Sequence, residues 1–270
     1  MGEAKRRQSA QTVGRPWPPK LPPLPPGTAN ATPATRELQR LAMLGRMAET
    51  NTRTALQAAR AATDTDARDQ ILDSILQGAC GLLEGEVRTA YAANAESARL
   101  WSTVACRKGC SWCCHIQVET TIVEAIVVSR QVAKSESLTA SVLAAAPAVA
   151  GTDSVGRLRK RVACPLLVDG ACSVYDHRPG ACRAHVSLDD KACETALKTA
   201  GTADEARKIP TVVVPRKIDT AISFGVRRAC AAENLQSCDV ELTAALYLLA
   251  TDSTAVNRWL AGETVFTPYP

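Results

Sequence analysis

From Arg36 onward the apolar positions return every three or four residues. Leu38, Leu41, Leu44 and Met47 or Ala48 form one stripe, and Ile71, Leu72, Ile75, Leu76, Leu82, Leu83, Val87 and Tyr91 form the next. Such spacing gathers them on one face of a 3.6-residue helix, so it predicts two or three amphipathic helices before residue 100. The intervening "TDTD" offers a helix start, while Gly78, Gly81 and Gly85 weaken the second helix. Further on, "TIVEAIVVSRQVAK" predicts a helix behind a capping box, Thr121 to Glu124. Short helices are expected over the alanine-rich 138–149 and in "SVGRLRKRV". Helical patterning resumes at about residue 194 and closes on a pair within "AALYLLATDSTAVNRWL".

The pattern breaks in two places. One is "CRKGCSWCCH", residues 106–115; the other is "CPLLVDGACSVYDHRPGACR", residues 164–183. In the second, Asp169-Gly170 between two short apolar runs predicts a hairpin, and Arg178-Pro179 predicts an irregular loop after it. Ahead of everything lies "PWPPKLPPLPPG", in a segment holding more than half of the chain's prolines. It favours polyproline II and cannot bury a core, so residues 1–34 read as a disordered tail or spacer, with docking to a protein partner's groove as the alternative. The chain then divides into a helical stretch 35–100, a cysteine-cluster region 101–195, and a C-terminal helical region 196–270 packing on the rest. The fold class expected is mainly α: a helical domain with a small irregular cysteine-rich metal-binding subdomain containing a short β-hairpin.

Composition narrows what the cysteines can be. With 270 residues and 46% apolar side chains the chain can fill a core, so it does not need the disulfide staples of small secreted scaffolds. The first residues are charged and then polar, with no apolar stretch of a secretion signal, and no run approaches the ~18 apolar residues of a membrane span. A cytoplasmic, reducing setting is expected, without membrane contact. There the eleven cysteines, an odd number, stay thiols unless a metal takes them. Net charge is +5, and part of it sits in the tail, where Lys5, Arg6, Arg7, Arg15 and Lys20 face only Glu3. With 4% aromatics and no basic run interleaved with them, a nucleic-acid surface has little support.

Eight cysteines fall in the two broken stretches or just beyond the second: Cys106, Cys110, Cys113 and Cys114, then Cys164, Cys172 and Cys182, with Cys193 just after them. Cys80, Cys230 and Cys238 lie apart in helix-like sequence and read as small buried hydrophobes. Cys110 and Cys113 make a C-x2-C pair beside Gly109, suited to a tight turn, and a helical segment would also gather positions 106, 110, 113 and 114 on one face. Adjacent Cys113 and Cys114 share one metal awkwardly, which points to two metals or a multi-iron cluster. Eight thiolates suffice for two four-sulfur sites, or for one iron–sulfur cluster and one zinc. Arg107, Lys108, Arg178 and Arg183 stand beside them as counter-charge, the alternative being ordinary surface cations. All three histidines, His115, His177 and His185, fall in the same region as ligands, orienting donors or proton carriers, His115 being the best placed as a ligand.

Two blocks, "ACRKGCSWCCHIQVETTIVEA" and "CPLLVDGACSVYDHRPGACRAHVSLDDKACE", resemble the bacterial cysteine-cluster family named for a C-x-x-C-x-x-C-C pattern, which includes YkgJ-type proteins and is similar to a domain of flagellin lysine N-methylases. The resemblance covers roughly residues 101–195 and implies zinc or iron, an iron–sulfur cluster included, on Cys106, Cys110, Cys113, Cys114, Cys164, Cys172 and Cys182, with Cys193 as the eighth. It also implies a role for Glu124 beyond capping. The first gap here is three residues, Arg107 to Gly109, rather than two. Three functions remain open: a metal-chelating module, an iron–sulfur-dependent protein lysine methyltransferase by resemblance to the flagellin enzymes, and a helical interaction scaffold whose metal is structural. No Gly-rich phosphate loop, nucleophile elbow or H-E-x-x-H is present.

Overall fold

The computed structural model describes residues 32–199 and 208–269, so the proline-rich tail lies outside the described residues except for its last three. The first helix, α1 (Pro33–Ala61), starts where Thr32 accepts the Thr35 N–H at 3.2 Å and Pro33 occupies the first turn. Asp64, within "TDTD", caps α2 (Thr65–Ala92) through the Ala67 N–H, and the helix runs straight through its three glycines. A short α3 (Ala95–Ser102) completes the trio before the cysteines, and Trp101 stacks on Tyr91 with ring centroids 4.6 Å apart.

The chain returns to helix at α4 (Ile122–Val132), α5 (Glu136–Val149) and α6 (Ser154–Lys160). Beyond the second cysteine stretch come α7 (Gly180–Ala184), α8 (Asp190–Lys198), the long α9 (Val213–Ala232), α10 (Leu242–Thr251) and α11 (Ala255–Leu260). Strand is limited, among the described residues, to two antiparallel pairs. One is the hairpin β2 (Leu167–Val168) with β3 (Ala171–Cys172); the other joins β1 (Glu119–Thr121) to the distant β4 (Asp239–Glu241), with Thr120 opposite Val240. Each strand of this second pair turns directly into a helix, β1 into α4 and β4 into α10. The molecule is mainly α with a small hairpin, as the patterning predicts. No helix among the described residues is long and apolar enough to cross a membrane.

The most extensive helix contact is α1 against α9. Their bridges advance together, Lys217 to Glu37, Arg228 to Glu49 and Arg53 to Glu233, so the two helices run parallel. Exposed pairs of this kind set register more than they stabilise. What permits the approach is glycine facing glycine. A Cβ on Gly225 would stand 2.1 Å from the Gly45 carbonyl oxygen and 2.9 Å from the Ala48 Cβ, whereas one on Gly45 would meet the Ala221 carbonyl oxygen at 3.0 Å. Around this seam the buried side chains form two main clusters. The larger runs from Leu56 and Ile75 through Ile122, Ile126 and Val226 to Leu246 and Trp259; the smaller joins Leu44, Leu82 and Tyr91 to Ala184, Val186 and Ile222. Both draw on all three stretches, 35–100, 101–195 and 196–270.

Replacing Gly225 with alanine should therefore force the helices apart. The expected cost is about 1–3 kcal/mol of stability despite alanine's better helix propensity, with Gly45→Ala milder. Urea denaturation of the two variants checks this. Gly225→Ala matching or exceeding the parent would contradict so close a seam.

Candidate metal centre

The first thiol loop is folded by its own backbone. The Cys110 N–H donates to the Arg107 carbonyl at 3.0 Å, closing a turn that places Gly109 at φ 90°, a region glycine adopts without strain. A 3-10 turn, Trp112–His115, then carries Cys113 and Cys114. The Cys114 carbonyl accepts the Cys164 N–H at 2.6 Å, which ties the first loop to the second. In the second loop Asp169 and Gly170 both take positive φ, 49° and 75°, as a two-residue hairpin turn requires, and Cys172 sits across from Leu167. Cys182 lies on α7, Cys193 on α8, and α8 packs against the 3-10 turn. Cys106 is held at the far end, its Sγ accepting the Ser187 N–H at 3.2 Å.

All eleven cysteines are free thiols. Electrostatic interactions link the eight predicted ones into two overlapping groups. Cys106 interacts with Cys113 and Cys110, and Cys193 with all three of these. Cys182 interacts with Cys164, Cys113 and Cys172; Cys172 also with Cys113, and Cys164 with Cys172. Cys113 belongs to both groups, and a hydrogen bond with Cys114, followed by burial, drives its thiol well above the ordinary range. Burial, the largest cause, also raises Cys182 well above that range and brings Cys164 to about 11. Among the described residues no three His, Cys, Asp or Glu side chains already stand at metal-ligand spacing, so an ion would have to draw the thiols in.

The candidate counter-charges separate. Arg178 lies 3.6 Å over the Tyr175 ring, donates to the Tyr175 carbonyl at 3.0 Å, and favours the thiolates of Cys106, Cys113, Cys172 and Cys182. Arg183 favours Cys172 while bridging to Glu84, whereas Arg107 is exposed and paired with Asp190, and Lys108 reaches over Tyr175. A fifth cation, missed by the sequence analysis, is Arg157: fully buried, bound to Glu241 and Thr243 at 2.7 and 3.0 Å, it favours the Cys164 thiolate. Of the three other cysteines, Cys80 and Cys230 are buried with thiols raised to about 12 by burial, and Cys238 packs half-buried on the core.

Behind the thiols opens a cavity of about 410 Å3 with Cys113, Cys182 and His185 on its wall. His115 sits with its Nδ1 3.4 Å from the Trp112 carbonyl oxygen; His185 is the histidine at the cavity, held below its usual range by burial and Arg216. Glu124 is the pivot. Its Oε2 accepts from the Thr121 N–H, Thr121 Oγ1 and Thr120 Oγ1, each at 2.9 Å, and its Oε1 accepts the Gly180 N–H at 2.8 Å. Asp219 of α9 presses on the same corner. Its Oδ1 and Glu124 Oε1 lie 2.0 and 3.3 Å from the position a Cβ would take on Gly180. Burial, then Glu124, raises the Asp219 carboxyl to about 8, and Glu119 is raised by burial and Asp239. Sequence reading found Glu124 as a cap and missed Asp219, whose signal was an acid set between Ile218 and Ile222 on the buried face of a helix.

Two outcomes are expected. Glu124→Ala removes the cap of α4 and strands the Gly180 N–H, costing about 2–4 kcal/mol in chemical denaturation; a loss below 0.5 kcal/mol would show the tether to be idle. Asp219→Asn removes a group that stays protonated in the folded protein between its unfolded pKa and about 8. The parent's stability should fall across that window by up to about 1.4 kcal/mol per pH unit relative to the variant. Thermal midpoints at pH 5 and pH 8 test the sign, since the variant's advantage must grow with pH.

Residues 105–208 match the family model CxxCxxCC, described as "Putative zinc- or iron-chelating domain". Neither curated proteins nor solved structures give a match. All eight cysteines fall inside the matched span, which covers well under half of the chain.

Proposed function

We propose that the protein chelates zinc or iron through Cys106, Cys110, Cys113, Cys114, Cys164, Cys172, Cys182 and Cys193, arranged as two four-thiolate groups that meet at the Cys113-Cys114 doublet. The observation that carries this is the convergence of the two loops. They are separated in sequence by α4, α5 and α6, yet Cys113 interacts with thiols of both. Soft thiolates suit zinc and iron–sulfur clusters, and eight are enough for two closed sites. Cys106, Cys110 and Cys193 form one group and Cys164, Cys172 and Cys182 the other, with Cys113 and Cys114 between them. Zinc would supply a rigid cross-link between the loops; iron with sulfide would add one-electron chemistry. The chain's own contribution is to hold the half-buried thiols near one another and to offset thiolate charge with Arg178, Arg183 and Arg157.

Anaerobic purification followed by metal and acid-labile sulfide analysis tests the proposal. Roughly one to two metals per chain are expected. A brown, sulfide-containing protein supports the iron–sulfur form and keeps a methyltransferase activity in play, and a colourless zinc protein removes it. Cys113→Ser should lose most of the metal, Cys193→Ser and Cys164→Ser each part of it, and Cys230→Ser none. Metal and helical signal should fall together in Cys113→Ser, because ligation and local folding are coupled. Trace metal in the parent with eight freely titrating thiols would overturn the assignment.

A further inference from the structure

The cavity beside the cysteines is made largely of groups that the thiol set does not use. Its volume, about 410 Å3, is that of a small-molecule pocket. Cys113 and Cys182 supply sulfur on one side, while Val118, Leu158 and Ile116 supply an aliphatic wall. The remaining corner is carboxylate, and Gly180 creates it: any side chain there would collide with Asp219, so the absence of one lets Asp219 and Glu124 converge. Glu119 and Asp239 line the cavity too. Against these four acids stand two guanidinium groups, Arg227, engaged by Asp239, and the exposed Arg216, which faces Asp219 and Glu119. The cavity therefore holds more acids than guanidinium groups.

We infer that this cavity binds a small organic cation, a primary ammonium on an aliphatic chain, with its head at the Asp219–Glu124 corner and its chain along Val118 and Leu158. An ammonium brings three N–H donors to a corner of acceptors. A quaternary ammonium is the poorer fit, because among the described residues Tyr269 is the one Phe, Tyr or Trp lining the cavity and an aromatic cage needs several. The inference rests on the metal-centre proposal only in making Cys113 and Cys182 ligands beside the bound cation.

The test titrates the purified, metal-containing protein at about pH 9, where Asp219 is ionised and an alkylamine is still protonated, with pentylamine, 1-pentanol and pentanoate, followed by calorimetry, with metal per chain measured on the same samples. Pentylammonium should bind a single site at least about tenfold tighter than either of the others. Asp219→Asn should weaken it by about tenfold while leaving metal content and fold intact, and Glu119→Gln should weaken it less. Pentylamine binding no tighter than pentanol overturns the inference. So does unchanged binding by Asp219→Asn, which would mean that the amine ligates the metal directly. Metal content reports separately on the metal-centre proposal, so the two fail by different readings.

Discussion

The carboxylate of Glu124 holds the metal region to the rest of the molecule. It is buried, with about 7% of the residue exposed, and a buried carboxylate is tolerable only when its oxygens are matched by donors. Three donors come from Thr120 and Thr121, which belong to the strand pair, and the fourth is the Gly180 N–H at the start of the helix that carries Cys182. One side chain thus caps α4 and fixes the position of a thiol-bearing helix of only five residues, too short to stand alone. The cysteine loops contain little regular structure of their own. They are placed by what they are tied to.

What they are tied to spans the chain. The strand leaving the first thiol loop pairs with a strand near the C-terminus, and the two helices that follow, α4 and α10, pack on each other in the larger core. Arg157, on the helix leading into the second loop, is clamped by Glu241 and Thr243 of the same C-terminal unit. The parallel seam of α1 and α9 then brings Asp219 to the cavity from a third direction, because α9 also packs against α7. Closing the thiols on an ion would therefore tighten contacts made by both ends of the molecule.

Local chemistry was readable in the sequence wherever one residue type decides the backbone. Asp169-Gly170 sits in the turn it predicts, Gly109 occupies the left-handed position beside the C-x2-C pair, and Thr121 with Glu124 forms the capping box. The helices are legible for the same reason that their apolar faces are: burial repeats at 3.6 residues. The long-range placements are not. β1 and β4 are three residues each, too short for an alternating pattern, and their pairing is fixed by the helices that follow them. The Gly45–Gly225 seam gives no local signal, since a glycine inside a helix reads as a weak point until a neighbour's backbone is known to lie against it. The eight cysteines stood out by type; which of them face one another through Cys113 depends on the fold.

Charge joins the thiol centre to the cavity. Burial is the largest cause raising the thiols of Cys164 and Cys182 and the carboxyl of Asp219, and for Cys113 it follows the hydrogen bond with Cys114; in each case a like-charged neighbour raises the group further. Acidic groups there lie close together and away from water, with Arg178 and Arg216 opposing the shifts. Protons and cations compete for such groups, so metal ligation by the thiols would release protons, and the inferred cation at the Asp219 corner would do the same.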